Sequence, residues 1–303
     1  MTRHLGLDLG GTNIKWSVLK SNGTIERVAD GSIGTNASNG PEAVASRLVT
    51  AGREAVTRHG PFDSVGLGVP GLFEPATGEV ILFPNLPGPW KGFPLGRRVS
   101  EGLDCQVVMI NDARAFTIAE SALGAGKGCS IVVAMVLGTG VGGGITIDGK
   151  LHVGAFGTAG ELGHQTVMPD GPMCGCGNQG CVEALTRANA LAALAGKATA
   201  EEVYVAAARG ETRSRDAISE VAGYLGIALA NTVTVIGPER IVIGGGIAAA
   251  GELLLAPLRE AIKKRVTLVP IERVSVVLAE LGSAAGAIGA ALAGMTQEDT
   301  RAR

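Results

Sequence analysis

Two stretches of this chain follow one plan, and that recurrence constrains the fold more than any other feature. LDLGGTNIKWSVLKSNG runs from Leu7 to Gly23, and MVLGTGVGGGITIDG runs from Met135 to Gly149. In each, an apolar strand meets glycines and a threonine, a second strand follows, and an Asn-Gly or Asp-Gly pair turns the chain. Such pairs suit a two-residue hairpin turn, because they tolerate positive φ at both central positions. Aligning the stretches needs a gap of two residues. The pattern predicts two duplicated halves, each opening with a β-hairpin whose loop could hold a phosphate.

Elsewhere strand and helix signals alternate, which indicates an α/β architecture. In the first half we expect a strand over Thr24–Ala29, a helix over Pro41–His59 and a strand over Ser64–Val69 ending in Pro70-Gly71. A strand over Gln106–Ile110 follows, ending in Asn111-Asp112, and then a helix over Ala113–Leu123. In the second half, the strand Ser130–Leu137 leads through the glycine loop to a strand over Ile145–Ile147. Beyond a glycine- and cysteine-rich stretch, Gly154–Cys181, lies an alanine-rich helical region from Val182 to about Ala208. An exposed loop over Arg209–Arg215, a long helix over about Asp216–Ile236 and a strand over Arg240–Ile243 come next. The last apolar helix, Ala284–Ala293, is rich enough in Gly and Ala to pack close to a neighbour.

Composition removes whole classes of function. Lys and Arg total 26 against 28 Asp and Glu, a formal charge of -2, which argues against a nucleic-acid partner. A hydrophobic share of 46% excludes disorder. Glycine reaches 47 of 303 residues, roughly twice the usual share of about 7%, but it clusters instead of recurring every third position as in collagen. The start, MTRHLGLDLGG, does not read as a signal peptide, and no apolar run reaches the roughly 18 residues of a membrane span. We therefore expect a cytoplasmic chain with no membrane partner.

Three glycine loops directly follow apolar strands: Gly10-Gly11-Thr12, Gly138-Thr139-Gly140 and Gly244-Gly245-Gly246. Glycine leaves backbone N–H groups open to phosphate oxygens, and threonine adds a hydroxyl. Each loop alone reads more readily as a structural turn. None matches GxxxxGK[ST], and hairpins follow the first two, which excludes the dinucleotide fingerprint. Two alike loops and a third point to nucleotide phosphates. Asp8 lies beside the first loop in an otherwise apolar strand. It either bonds backbone at a strand end or stands near a Mg2+–phosphate cluster, and its place beside the glycines favours the second. Asp112 ends a strand and begins a helix. Local sequence leaves two roles open for it, helix N-cap or general base at the carboxyl end of a sheet.

His164, Cys174, Cys176 and Cys181 are spaced H-x9-C-x-C-x4-C. Four such ligands fit a closed tetrahedral Cys3His zinc site, structural because no position remains for water. The plainer reading is reduced cysteines in a loop, or a redox pair. Glu161 and Glu183 flank the cluster, either as surface residues or as a pair that binds a polyol.

DLGGTNIK, INDARA, LGTGVGGG, AGELGH and CGCGNQGCVE, in that order, resemble the motifs of the ROK family of sugar kinases and repressors. The resemblance covers nearly the whole chain. It implies the actin-like ATPase (ribonuclease H-like) fold, two α/β lobes with a duplicated core and with ATP and sugar in a cleft. Residues 1–112 with about 284–303 would form the smaller lobe, and 113–283 the larger one with the zinc loop. The resemblance makes Asp112 the catalytic base. It places Gly10, Gly11, Thr12 and Lys15 in the first ATP phosphate loop, Gly138, Thr139 and Gly140 in the second, and Gly244 and Gly245 near the adenosine. Gly71, Asn85, Asn111, Glu161, His164 and Glu183 match sugar-contacting positions. His164, Cys174, Cys176 and Cys181 match zinc ligands, so His164 would give one ring nitrogen to zinc and turn the other to the sugar.

The activity implied is ATP-dependent phosphorylation of a hexose at its 6-hydroxyl, glucose first, with Mg2+ and a structural Zn2+. Kinases for mannose, fructose, N-acetylglucosamine or N-acetylmannosamine share these motifs. A non-catalytic sugar sensor is disfavoured by Asp112 and by DLGG starting at Asp8, which leaves no room ahead for a DNA-binding segment. A homodimer, or a tetramer, is the assembly the resemblance implies. One departure stands out: the motif usually reads NDANA, and here Arg114 replaces the second Asn.

Overall fold

The computed structural model describes residues 1–301; Ala302 and Arg303, the end of the expected smaller lobe, lie outside the described residues. In chain order the elements begin with β1 (Thr2–Leu9), β2 (Asn13–Ser21), β3 (Ile25–Gly34), α1 (Pro41–His59), β4 (Ser64–Val69), β5 (Leu72–Phe73) and β6 (Val80–Leu82). They continue with α2 (Leu95–Leu103), β7 (Val107–Asn111), α3 (Asp112–Leu123), β8 (Ile131–Leu137), β9 (Val141–Ile147) and β10 (Lys150–Leu151). The remainder is α4 (Val182–Thr186), α5 (Ala188–Ala195), α6 (Ala200–Ala208), α7 (Thr212–Ile236), β11 (Arg240–Gly244), α8 (Glu252–Lys263), β12 (Ser275–Leu278) and α9 (Ala285–Arg301). Two compact units result. One comprises Met1–Ala119 with the chain from Leu281 onward, and the other Glu120–Glu280.

The repeat in the sequence is a repeat in topology. The first unit's sheet runs β3-β2-β1-β4-β7 and the second's runs β10-β9-β8-β11-β12. In both, the opening hairpin is antiparallel and the next two strands join in parallel. The hairpin loops sit in matching places, after the closing pairs Leu9↔Ile14 and Leu137↔Val141. Asp148 and Gly149 both have positive φ (49° and 73°), which is the backbone a two-residue turn needs.

In the first unit, α1 and α9 pack on β1 and β2, and α9 also covers β4. Strands flanked by helices are apolar on both faces, so β1 and β4 read as runs and not as alternation. Leu5, Leu7, Ile14, Leu48 and Leu67 fill this core. The Gly/Ala content of α9 has the expected consequence. A Cβ on Gly66 would lie 1.8 Å from the Ala290 carbonyl oxygen, and one on Gly289 would lie 1.7 Å from that of Ala115. Helix and sheet touch backbone to backbone.

In the second unit, α7 is the core helix, packed by α8, α5, α6 and α4. Its 25 residues are long and apolar enough to cross a membrane, but Leu225, Leu229 and Val233 along it are fully buried in the unit. The helical region expected over residues 182–208 is three helices. Arg187 is extended (φ -60°, ψ 160°), and Gly196 is left-handed (φ 67°). The exposed loop expected over residues 209–215 is shorter, because α7 starts at Thr212, where Glu211 accepts hydrogen bonds from Ser214 and from Lys197.

Candidate functional site

In the first unit, the strand ends of β1 and β7 assemble the first set of residues. Gly10 N–H donates to the Asn13 carbonyl at 3.0 Å and closes the first loop. Thr35, fully buried, holds the loop from behind. Its hydroxyl donates to the Gly10 carbonyl (2.7 Å) and its N–H to that of Thr12 (2.8 Å), while Gly11 and Thr12 stay exposed. Thr35 carries no local signal in the sequence; only the pairing of β2 with β3 brings it there. Lys15 faces Asp8 across the β1–β2 ladder, and its Nζ donates to the Ser283 carbonyl at 3.0 Å.

Asp8 is packed against α9. A Cβ on Gly286, in that helix's first turn, would lie 2.6 Å from Asp8 Oδ2. Burial pushes this carboxyl up from 3.8 to about 7; the negative charge of Asp112 pushes the same way, and Lys15 opposes them.

Of the two roles left open for Asp112, the helix cap is taken by its neighbour. Asn111 Oδ1 accepts from the N–H groups of Ala113 (3.1 Å) and Arg114 (3.2 Å), which is the capping work, and its Nδ2 donates to the Gly71 carbonyl at 3.3 Å. Asp112 is then the first helical residue, with Oδ1 accepting from Ala113 N–H at 2.8 Å. Gly71 itself turns at φ 87°. Asn85 is exposed in the loop after β6, and its carbonyl oxygen would lie 3.8 Å from a Cβ on Gly11. Trp90 anchors that loop. Its rings pack on Phe83 (5.1 Å) and Phe93 (5.7 Å), and Nε1 donates to the Pro87 carbonyl at 3.0 Å. Only 10 residues of the chain are aromatic (Phe 6, Trp 2, Tyr 2), and three of them support this one loop.

In the second unit, Gly138 N–H donates to the Gly140 carbonyl at 2.9 Å, so this loop closes as the first one does. The third loop lies against it: a Cβ on Gly245 would lie 2.2 Å from the Leu137 carbonyl oxygen, the residue just before Gly138. Gly244 ends β11 beside β8. Glu183 Oε2 accepts from Val141 N–H at 2.9 Å. Glu161, exposed, precedes the 3-10 turn Leu162–His164, and its carbonyl accepts from His164 N–H at 3.1 Å.

The turn and the hairpin-like loop after it gather four ligand atoms. Those of His164, Cys174, Cys176 and Cys181 lie within 4.8 Å of one another. A tetrahedral ion about 2.3 Å from each sulfur sets neighbouring sulfurs about 3.8 Å apart. The Cys176–Cys181 sulfurs are 3.7 Å apart, as are His164 Nδ1 and Cys174 Sγ. The donor set therefore fits a small soft cation. Burial pushes the Cys174 thiol up to about 12, whereas the Asn178 backbone N–H lowers that of the exposed Cys176. Thiolates at such a site call for a cation beside them.

Comparison with known proteins then places these geometries. A model of the ROK family matches residues 4–296. A glucokinase of Thermotoga maritima is 35% identical, over 95% of this chain and 95% of its own length. A ROK hexokinase of Thermus thermophilus has a crystal structure similar to this one at TM-score 0.84 and 32% identity, covering 98% of this chain and 99% of that one. A ROK family glucokinase of Streptomyces griseus, solved in complex with glucose and AMPPNP, is similar at TM-score 0.81 and 31% identity, covering 97% and 99%.

Proposed function

The chain belongs to the ROK family, and on that premise we propose that it transfers the γ-phosphoryl group of ATP to the 6-hydroxyl of glucose. The duplicated sheets are those of the actin-like ATPase fold. The observation that carries the reading is the position of Asp112. It stands at the carboxyl end of a parallel strand, beside the phosphate-loop carboxylate Asp8, with the capping work done by Asn111. A carboxylate so placed can accept the proton of the sugar 6-hydroxyl while its oxygen attacks the γ-phosphorus in line and ADP leaves.

The remaining residues take the roles that the family resemblance implies. In loops closed by the N–H groups of Gly10 and Gly138, the backbone N–H groups of Gly11 and Thr12, and of Thr139 and Gly140, hold phosphate oxygens, with Lys15 balancing charge. Gly244 and Gly245 take the adenosine side. Asn85, Asn111, Glu161, His164 and Glu183, with the Gly71 backbone, meet the sugar hydroxyls. Asp8 suits a Mg2+ site, because a carboxyl raised by burial and by a second carboxylate is relieved by a divalent cation. Mg2+, when bound, neutralises charge on the phosphates. Zinc, held by His164 Nδ1 and three thiolates, would cross-link the loop and fix the tautomer that His164 Nε2 offers the sugar. Thiolate ligands also support a reducing compartment, the cytoplasm. The homodimer is supported by family resemblance alone.

The glucokinase similarities favour glucose over its alternatives. A coupled assay with ATP and a panel of glucose, mannose, fructose, N-acetylglucosamine and N-acetylmannosamine tests this. Glucose should lead in kcat/KM by at least about tenfold. Preference for an N-acetylhexosamine by that margin overturns the assignment of glucose, and transfer to none of them overturns the kinase reading.

A further inference from the structure

The segment from Cys181 to Ala188 ties the cysteine cluster to the second glycine loop at three points. Cys181 is one of the four clustered ligands. At the far end, Ala188 N–H donates to the Gly138 carbonyl at 2.8 Å, holding the start of the loop. In the middle, Glu183 reaches the end of the same loop. Its Oε2 accepts from Val141 N–H at 2.9 Å, while its Oε1 lies 3.5 Å from Cys174 Sγ and accepts a proton there only while Cys174 is a metal-free thiol. The fit at the loop is tight. A Cβ on Gly140 would lie 2.7 Å from Glu183 Oε2, so a side chain there would push the carboxylate aside.

We propose that Glu183 is a positioning residue for the second phosphate loop: its carboxylate fixes the Gly140–Val141 peptide and braces it on the cysteine cluster. The proposal rests on the reading that this loop takes nucleotide phosphates. It adds to the sugar-contacting role given to Glu183 above, since a carboxylate has about four lone-pair sites and can serve backbone and ligand together. A loop that must present N–H groups to phosphate gains from being set before the nucleotide arrives, because ordering it on binding would lower affinity. The cluster is a suitable anchor because Glu183 follows its member Cys181 by two residues and the cluster is cross-linked when it holds its metal.

Reach and charge separate the possibilities. Glu183→Gln keeps the length and one oxygen acceptor but loses the charge. Glu183→Asp keeps the charge but draws the carboxyl back by one C–C bond, about 1.5 Å, out of reach of Val141 N–H. The measurement is calorimetric binding of a non-hydrolysable ATP analogue with Mg2+ to the zinc-loaded protein, without sugar. Metal content is assayed alongside. Positioning predicts that Glu183→Gln binds nucleotide within about threefold of wild type, while Glu183→Asp loses about tenfold, the scale of one hydrogen bond to a part-buried carboxylate. Zinc should stay at about one per chain in both. If Glu183→Asp binds nucleotide as tightly as wild type, or if Glu183→Gln is the weaker of the two, the proposal is overturned. Should wild type itself bind no nucleotide, the reading of the loop fails first, and that failure is visible before any variant is compared.

Discussion

Asp8 is the ionisable group whose titration the fold most clearly turns to advantage. Its sequence context, a lone carboxylate in LGLDLG, already signals a desolvation cost; the steric closeness of Gly286 does not show until α9 is docked. With its carboxyl raised from 3.8 to about 7, folding favours the protonated form. The stabilisation is therefore complete below about pH 4 and is lost as pH rises through 7. Each pH unit of that displacement is worth about 1.4 kcal/mol, partly offset by the N-terminus of α9, which favours a negative charge. Asp8→Asn should accordingly be more stable than wild type at pH 8, by about 1–3 kcal/mol, and should converge with it near pH 4. Thermal melts without nucleotide at the two pH values measure this. A variant less stable than wild type at pH 8 would show that Asp8 is held charged.

At the scale of elements, glycine has opposite meanings in two helices. In α9, Gly289 permits contact with the backbone of α3, where an added methyl would lie 1.7 Å from the Ala115 oxygen. In α7, an added methyl at Gly223 meets nothing within 4 Å. Gly289→Ala should destabilise by about 2–4 kcal/mol through overpacking, and Gly223→Ala should stabilise by up to about 1 kcal/mol through helix propensity. Denaturant melts of both variants test the packing of α9; equal effects would refute it. The same contrast shows what was legible beforehand. The Gly/Ala content of the last helix forecast close packing, and the Asp-Gly pair forecast its two-residue turn. The Asn-Gly pair marked a hairpin too, but three residues, Asn22 to Thr24, make that turn, and only Gly23 of the pair has positive φ. The breaks at Arg187 and Gly196 were hidden, because the alanine-rich run that spans them has high helix propensity throughout. Thr35 was hidden for another reason. Its partners Gly10 and Thr12 lie more than twenty residues away, and only strand pairing makes them neighbours.

Across the whole molecule, the duplication that the sequence repeats is the organising fact. Each unit builds the same strand order and sets a glycine loop at the same hairpin. The cysteine cluster was legible because its spacing is local, whereas the Glu183 link to Val141 joins residues 42 positions apart and was not. On this scaffold the proposed phosphoryl transfer rests on one carboxylate, Asp112. The direct test is Asp112→Asn, comparing phosphorylation of glucose by ATP with calorimetric glucose binding. With Asp112 as the base, kcat falls by about 10²–10⁴-fold, the usual contribution of a general base, while the glucose Kd stays within about threefold of wild type. Turnover near that of wild type would contradict that role.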